Sequence, residues 1–340
     1  MRPFLLLLWS LALTNAALVV YNDYYPQHIP IDQITHLLYS FANIIDTGEV
    51  QQMDPEADYN KRFAGDSPND TAKDNVYGCI KQMGLLKQKS RHLKVLLSIG
   101  GCTNSNKWYA PTLKGESNRK TFAQTPVRCQ VDARCWYPTN ESTSDMVSLL
   151  KEARGRRIEL DRYGCEKANG KHFPLTIACS FEAWPQNKIL LGMPLYGRAF
   201  VNTTGPGHNY TGGGTGMAEE GIWHYKVLPL AGAEVIELPK IGASYSYDPK
   251  RMAFVTYDTL NVTKIKAEYI KEKKLGGAMW WEVNMDKAGA CSLTATAVSG
   301  LGSIDALERS ENQLEFPGSK YANLRNGWGW YSSIEDEQCV

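Results

Sequence analysis

Few residues in this chain have the type and spacing that chemistry requires. Two glutamates close apolar runs: Glu182 follows Phe173–Cys179, and Glu282 follows Ala278–Trp281. A carboxyl at a strand end can donate a proton only with a raised pKa and the correct distance to the reacting oxygen. The sequence sets neither condition, so both read first as hydrogen-bonded structural carboxylates. The six histidines are scattered, and no Ser/His/Asp or Cys/His arrangement stands out. No CxxC or His/Cys cluster has metal spacing, so a structural zinc is not expected. Nothing like GxGxxG follows the first apolar strand, which speaks against a dinucleotide site. Neither metal nor cofactor is expected.

The elements that would position such groups follow an α/β rhythm. Ala17–Tyr21 and Ile34–Ile45 read as strands, and Val76, Ile80 and Met83 recur at helical spacing with Asp74 near the helix start. Leu93–Ile99 is a strand without alternation, closed by Gly100-Gly101. Met146, Leu149, Leu150 and Ala153 return to helical spacing, followed by strands at Phe173–Cys179 and Lys188–Leu195. Continuous apolar strands separated by helices point to a parallel sheet buried on both faces. Residues 202–256 differ: Gly, Tyr and Thr dominate, as in a small β-rich insertion. The rhythm resumes with Ile265, Tyr269 and Ile270 on a helix, Gly276-Gly277, and a last strand Ala278–Val283. The chain from about residue 303 is polar and reads as a wrapping tail. Repeated strand–helix units without a phosphate loop favour a (β/α) barrel over an open doubly wound sheet.

The 340 residues are ample for one large α/β domain, and a net charge of +1 offers no basic stripe for nucleic acid. Residues 1–16 read as a cleaved signal peptide: Arg2, an apolar run from Phe4 to Leu13 broken only by Ser10, and a small-residue site at Thr14-Asn15-Ala16. The run is too short to span a bilayer comfortably, so no membrane association is expected after cleavage. Sequons at Asn69, Asn140, Asn202, Asn209 and Asn261 agree with secretion. Eight scattered cysteines admit on the order of a hundred disulfide connectivities, and none is assigned.

Several strand-end segments together resemble glycoside hydrolase family 18, in particular fungal-type secreted chitinases. Leu97-Ser98-Ile99-Gly100-Gly101 is similar to the SxGG motif. Gly192–Arg198 (GMPLYGR) is similar to the seventh-strand segment, and Gly276–Glu282 (GGAMWWE) to the eighth. Tyr210-Thr211-Gly212 with Trp223–Lys226 (WHYK) resembles the family's α+β insertion, and Ile34–Phe41 its second strand. The similarity covers most of residues 17–325. It implies a TIM-type (β/α)8 barrel with the active site at the C-terminal strand ends. It also implies substrate-assisted chemistry, in which a Glu protonates the glycosidic oxygen and the substrate's own acetamide attacks the anomeric carbon. The resemblance places Trp281 on the floor of the central sugar subsite, makes Tyr196 and Arg198 substrate contacts, and sets Tyr137 beside the catalytic Glu. A core Trp and a structural ion pair are the plainer readings of Trp281 and Arg198.

The chain departs from the family at two places. Its fourth strand should end in a DGxDxDWEYP-like run, but Pro126–Asn140 reads PVRCQVDARCWYPTN. Trp136-Tyr137-Pro138 survives without a Glu between Trp and Tyr, and Asp132 is the one acid nearby. Side chains two apart share a strand face, so one Asp cannot both orient the acetamide and supply the proton. Only the nine residues Ser180–Lys188 join two predicted strands, whereas a parallel crossover takes about a dozen or more. A helix, the sixth strand and a further helix are therefore absent, along with the MxYD motif. Cys102 stands where a Trp usually follows SxGG. The expectation is an incomplete barrel spanning residues 17–325, with an insertion at about 202–256 and a tail at 326–340. It folds as a strained open barrel or not stably. The expected protein is secreted and monomeric, and acts on or binds chitin or chitooligosaccharide, with no catalytic residue assigned. The alternatives are a non-catalytic, lectin-like chitin binder and the non-functional product of a damaged or mis-assembled gene.

Overall fold

The computed structural model describes residues 24–52, 54–66, 74–100, 115–124, 185–217, 219–316 and 319–327, with Ser148, Leu149 and Lys151 and the backbone of 13–18, 131–134 and 176–177. In chain order the first strands are β1 (Leu13–Leu18), β2 (His36–Ile44), β3 (Val50–Gln52), β4 (Lys94–Gly100), β5 (Val131–Arg134) and β6 (Thr176–Ile177). Helices α1 (Gly78–Lys89) and α2 (Glu116–Gln124) lie among them. Then come β7 (Leu190–Pro194), β8 (Tyr196–Val201), β9 (Ile222–His224), β10 (Glu234–Leu238), β11 (Ala243–Asp248) and β12 (Ala253–Thr256). Helix α3 (Leu260–Glu272), strand β13 (Gly277–Trp281) and helices α4 (Leu293–Leu301) and α5 (Ala322–Arg325) complete the order. Among the described residues no helix is long and apolar enough to cross a membrane. The chain divides into two compact units, one of residues 1–18, 30–36 and 181–309, the other of the remainder.

In the first unit, β13 runs parallel between β1 and β7, with Ala278 opposite Leu191 and Trp280 opposite Met193. Ala278 and Trp280 are fully buried, and they pack with Ala267 and Ile270 of α3 and Leu293, Ala297 and Leu301 of α4. Met279 and Trp281 face the other way and stay half-buried, as the strand period of two requires. The Thr259 hydroxyl caps α3 by accepting from the Val262 N–H, and the Ser292 hydroxyl does the same for Ala295 at the start of α4. Asp286 reinforces α4, its carboxylate accepting from the N–H groups of Leu293 (3.0 Å) and Thr294 (3.1 Å). Strands β10-β11-β12-β8-β9 form a second, antiparallel sheet. It begins at Tyr196, ahead of the composition change at residue 202.

The first strand differs from expectation. β1 occupies Leu13–Leu18 rather than Ala17–Tyr21, and its residues Leu13 to Ala16 pair with Gly277 to Trp280. β1 (LTNAAL) shares only Ala17 and Leu18 with the expected segment and includes polar Thr14 and Asn15. Apolar content therefore does not locate this strand; its pairing with β13 does.

In the second unit, β2 pairs antiparallel with β3 and lies next to β4, and β4, β5 and β6 pair in parallel. Ala42, Ile44, Ile99, Phe122 and Leu149 form its buried cluster. The Tyr39 hydroxyl donates to the Asp58 carboxylate beside the Cys79 thiol of α1. Burial pushes all three pKa values up, the thiol's to about 11. Residues from Ser310 onward brace this unit. The Asn312 side-chain N–H2 donates to the carbonyls of Lys87 (2.9 Å), Ser90 (3.0 Å) and Leu93 (2.8 Å). Asn323 donates to the Val76 carbonyl (2.6 Å) and accepts from its N–H (3.0 Å).

Candidate functional site

The end of β13 gathers most of the predicted site residues. Trp281 stands opposite Pro194 of β7, and its carbonyl accepts from the Leu195 N–H at 2.7 Å. The Leu195 carbonyl in turn accepts from the Tyr225 N–H at 2.9 Å. Tyr196, the next residue, opens β8 opposite His224, and Arg198 follows opposite Ile222 and Thr256. Gly197 between them sits where a Cβ would lie 2.6 Å from Val255 Cγ1 and 2.8 Å from Leu228 Cδ1, so only glycine lets β8 approach this closely. Trp281 and Tyr196 are half-buried and Arg198 is exposed. Among the described residues Arg198 faces no carboxylate within ion-pair distance.

Glu282 follows directly, with only 4 % of its surface exposed. Burial pushes its pKa up to about 7, outweighing the hydrogen bond from the Asn284 side chain that pulls it down. Asn284 is itself buried, and its Oδ1 has no partner among the described residues. The Lys226 ammonium donates to the Asn284 carbonyl at 3.2 Å. His224 is 2 % exposed with neither ring nitrogen partnered among the described residues, and burial together with Lys226 lowers its pKa. His224 and Asn284 were not singled out from the sequence. His224 lay within WHYK, read only as an insertion marker, and no spacing pattern announced its burial.

The second unit holds the SxGG serine. Ser98 is fully buried, its Oγ has no partner among the described residues, and its neighbour across to β5 is Asp132. An unpaired buried hydroxyl costs about 1–3 kcal/mol. Tyr137, Glu182 and Cys102 lie outside the described residues. Among the described residues no three His, Cys, Asp or Glu side chains cluster as metal ligands, and Cys79 and Cys291 are free thiols.

A strand-end aromatic beside a small antiparallel sheet is an arrangement that can hold a sugar ring. The sequence profile "Glycosyl hydrolases family 18" matches residues 17–180 and 161–286. The chain belongs to glycosyl hydrolases family 18. Within the family it is similar to "Chitinase 1" of Aphanocladium album, 35% identical, with 90% of this chain and 88% of the relative covered. It is equally similar to "Endochitinase 1" of Metarhizium robertsii, 35% identical, with 89% and 87% covered. The Aphanocladium alignment runs over 377 residues, more than the chain's 340, so it opens gaps in this family member. In fold it is similar to chitinase ChiA74 from Bacillus thuringiensis, with TM-score 0.72, 21% identity, and 86% and 70% of the two chains covered. A plant class V chitinase mutant from Cycas revoluta, solved in complex with (GlcNAc)3, superposes with TM-score 0.66 at 20% identity, with 86% and 100% covered. The fold is therefore that of family-18 chitinases, a mixed α/β architecture.

Proposed function

We propose that this family-18 chain is a secreted, monomeric protein that grips chitin or chitooligosaccharide through Trp281, Tyr196 and Arg198, with Tyr137 a further contact by resemblance to the family, and hydrolyses it poorly or not at all. The observation that carries the reading is Trp136-Tyr137-Pro138 standing without a carboxylate in a chain that keeps the SxGG, seventh-strand and eighth-strand motifs. A glycosidic bond breaks only when its leaving oxygen is protonated, and no acid stands at the family's position for that task. Gripping needs no proton. Trp281 offers a half-exposed aromatic face, and no carboxylate among the described residues engages Arg198. The barrel reading is correspondingly incomplete, with strand four altered and strand six absent. The short link Ser180–Lys188 and the alignment gaps support it.

Secretion rests on the leader-like residues 1–16. Exposed sequon asparagines at Asn202, Asn209 and Asn261 agree with it. Cleavage after Ala16 removes Leu13 to Ala16, the residues paired with β13. Mass spectrometry of the exported chain tests this, since a mature N-terminus upstream of Leu13 rules it out.

One specific observation favours a second reading. Burial pushes the Glu282 pKa up to about 7, which meets one of the two conditions a general acid must satisfy. A chromogenic chitooligosaccharide and pull-down on chitin beads separate the readings. Binding without turnover supports the binder. Turnover abolished by Glu282→Gln supports a replaced acid. Neither activity, with a broad non-cooperative melt, identifies the product of a damaged gene.

A further inference from the structure

Helix α1 does not hold its own ends. Its N-cap residue Tyr77 makes no side-chain cap bond, and the last carbonyls of a helix have no partner within it. A segment more than two hundred residues further along the chain supplies what is missing. At the C-terminal end, the Asn312 side chain takes the carbonyls of Lys87, Ser90 and Leu93. The Asn312 backbone pairs with Arg91, donating to its carbonyl at 2.6 Å and accepting from its guanidinium at 3.0 Å. The Gln88 side chain donates to the Gly327 carbonyl at 2.9 Å, and Lys87 Nζ lies 4.9 Å from the Phe316 ring centroid. At the N-terminal end, Asn323 clasps both backbone groups of Val76, and the Ala322 N–H donates to the Asp74 carbonyl at 2.7 Å. Tyr321 meets Tyr59 with ring centroids 6.0 Å apart.

The same segment buries little of itself. Among its described residues only Asn312 is buried, while Leu314, Phe316, Tyr321 and Leu324 are half-buried. Its ion pairs Arg91–Glu311 and Arg325–Asp74, each at 3.6 Å, join exposed side chains and contribute little. A segment held mainly by polar bonds at the surface belongs to the low-stability end of a fold and opens before the core does.

What α1 protects is a thiol. Cys79, its second residue, is fully buried. The Tyr39 hydroxyl bonds both this thiol and the Asp58 carboxylate. Gly78 passes so close to Asp58 that a Cβ would lie 2.5 Å from the Asp58 carbonyl. The first turn of α1 therefore keeps Cys79 sealed only while its entry is held, and Val76, two residues ahead of Gly78, is where Asn323 holds it. Burial pushes the Cys79 pKa up to about 11, which keeps the sulfur in its unreactive thiol form.

We infer that residues 310–327 form a releasable strap over both ends of α1, which opens ahead of the rest of the fold and thereby exposes the Cys79 thiol. Closed, the strap caps the helix and shields the sulfur. Open, it returns the sulfur to water, where its pKa falls toward the ordinary value of about 8.5 and it becomes a nucleophile toward soft electrophiles.

Alkylation of the full chain with iodoacetamide at pH 8, read cysteine by cysteine from its peptides by mass spectrometry, tests this. Cys291 is a free, exposed thiol and serves as the internal standard. In the unaltered chain Cys79 is expected to react far more slowly than Cys291. Urea should raise the Cys79 rate less steeply than it promotes global unfolding followed by circular dichroism, because a local opening exposes less surface. Asn312→Ala removes three donor contacts and is expected to speed Cys79 about 30-fold, and Asn323→Ala about tenfold, with the Cys291 rate unchanged in both. Cys79 alkylation that follows the urea dependence of global unfolding overturns the strap. So does a Cys79 rate that neither substitution changes, and so does a Cys79 that reacts as fast as Cys291 in the unaltered chain. Where a variant fails to melt cooperatively, the urea dependence in the unaltered chain decides alone.

Discussion

The end of β13 and the β4–β5 pair are asked for similar things and answer differently. Each must present a side chain at the C-terminal end of a parallel strand. At β13 the supports are in place: Leu195 ties Trp281 to Tyr225, and buried Trp280 anchors the strand against α3 and α4. At β4 the motif serine Ser98 is sealed in with no partner among the described residues, beside a strand whose one acid is Asp132. On the proposed reading, the contrast teaches that gripping and cutting a glycan would draw on separable parts of one fold. An aromatic floor needs packing beneath it, whereas a proton donor needs one carboxyl at one place.

Four measurements press on that contrast. Trp280→Ala should remove about 3–5 kcal/mol of stability, seen as an earlier denaturant midpoint, because a fully buried ring leaves a cavity. A small loss would mean that the β13 end is not anchored as described. Glu282 gives a pH signature. Its folded pKa of about 7 lies above the ordinary 4.5, so between those values the folded state keeps a proton that the unfolded chain releases. Stability should therefore fall as pH rises through that window, by on the order of 3 kcal/mol, and Glu282→Gln should flatten the profile. A profile unchanged by the substitution would show the carboxyl to be solvated.

Trp281→Ala should cost about 2 kcal/mol of chitooligosaccharide affinity while moving the melting temperature little. If melting and binding collapse together, Trp281 is core rather than floor. Smallest is Ser98→Ala, expected to be neutral or stabilising by about 1 kcal/mol, since it removes a buried hydroxyl with no partner among the described residues. A clear destabilisation would reveal a partner for Ser98 on the β5 side.

Strands with continuous apolar runs were legible in the sequence. Leu93–Ile99, Lys188–Leu195 and Ala278–Val283 appear as β4, β7 and β13, shifted by a residue or two at their ends. β1 begins ahead of the apolar run Ala17–Tyr21 because strand pairing, a non-local matter, decides its position. The Gly, Tyr and Thr composition of residues 202–256 marked the insertion but not which way its tyrosines point. The tail was recognised by polarity alone. That Asn312 collects three carbonyls at the end of α1 and the start of β4 has no signature in the chain around it.

By itself the sequence established the family motifs at the strand ends and the missing glutamate beside Tyr137, because both are matters of residue identity and spacing. Only tertiary structure decided that Trp280 belongs to the core while neighbouring Trp281 does not, that β11 turns its serines inward, and that Glu282 holds its proton near neutrality. Those outcomes depend on what packs against a side chain from distant segments, and burial and proton affinity are properties of that surrounding rather than of the residue.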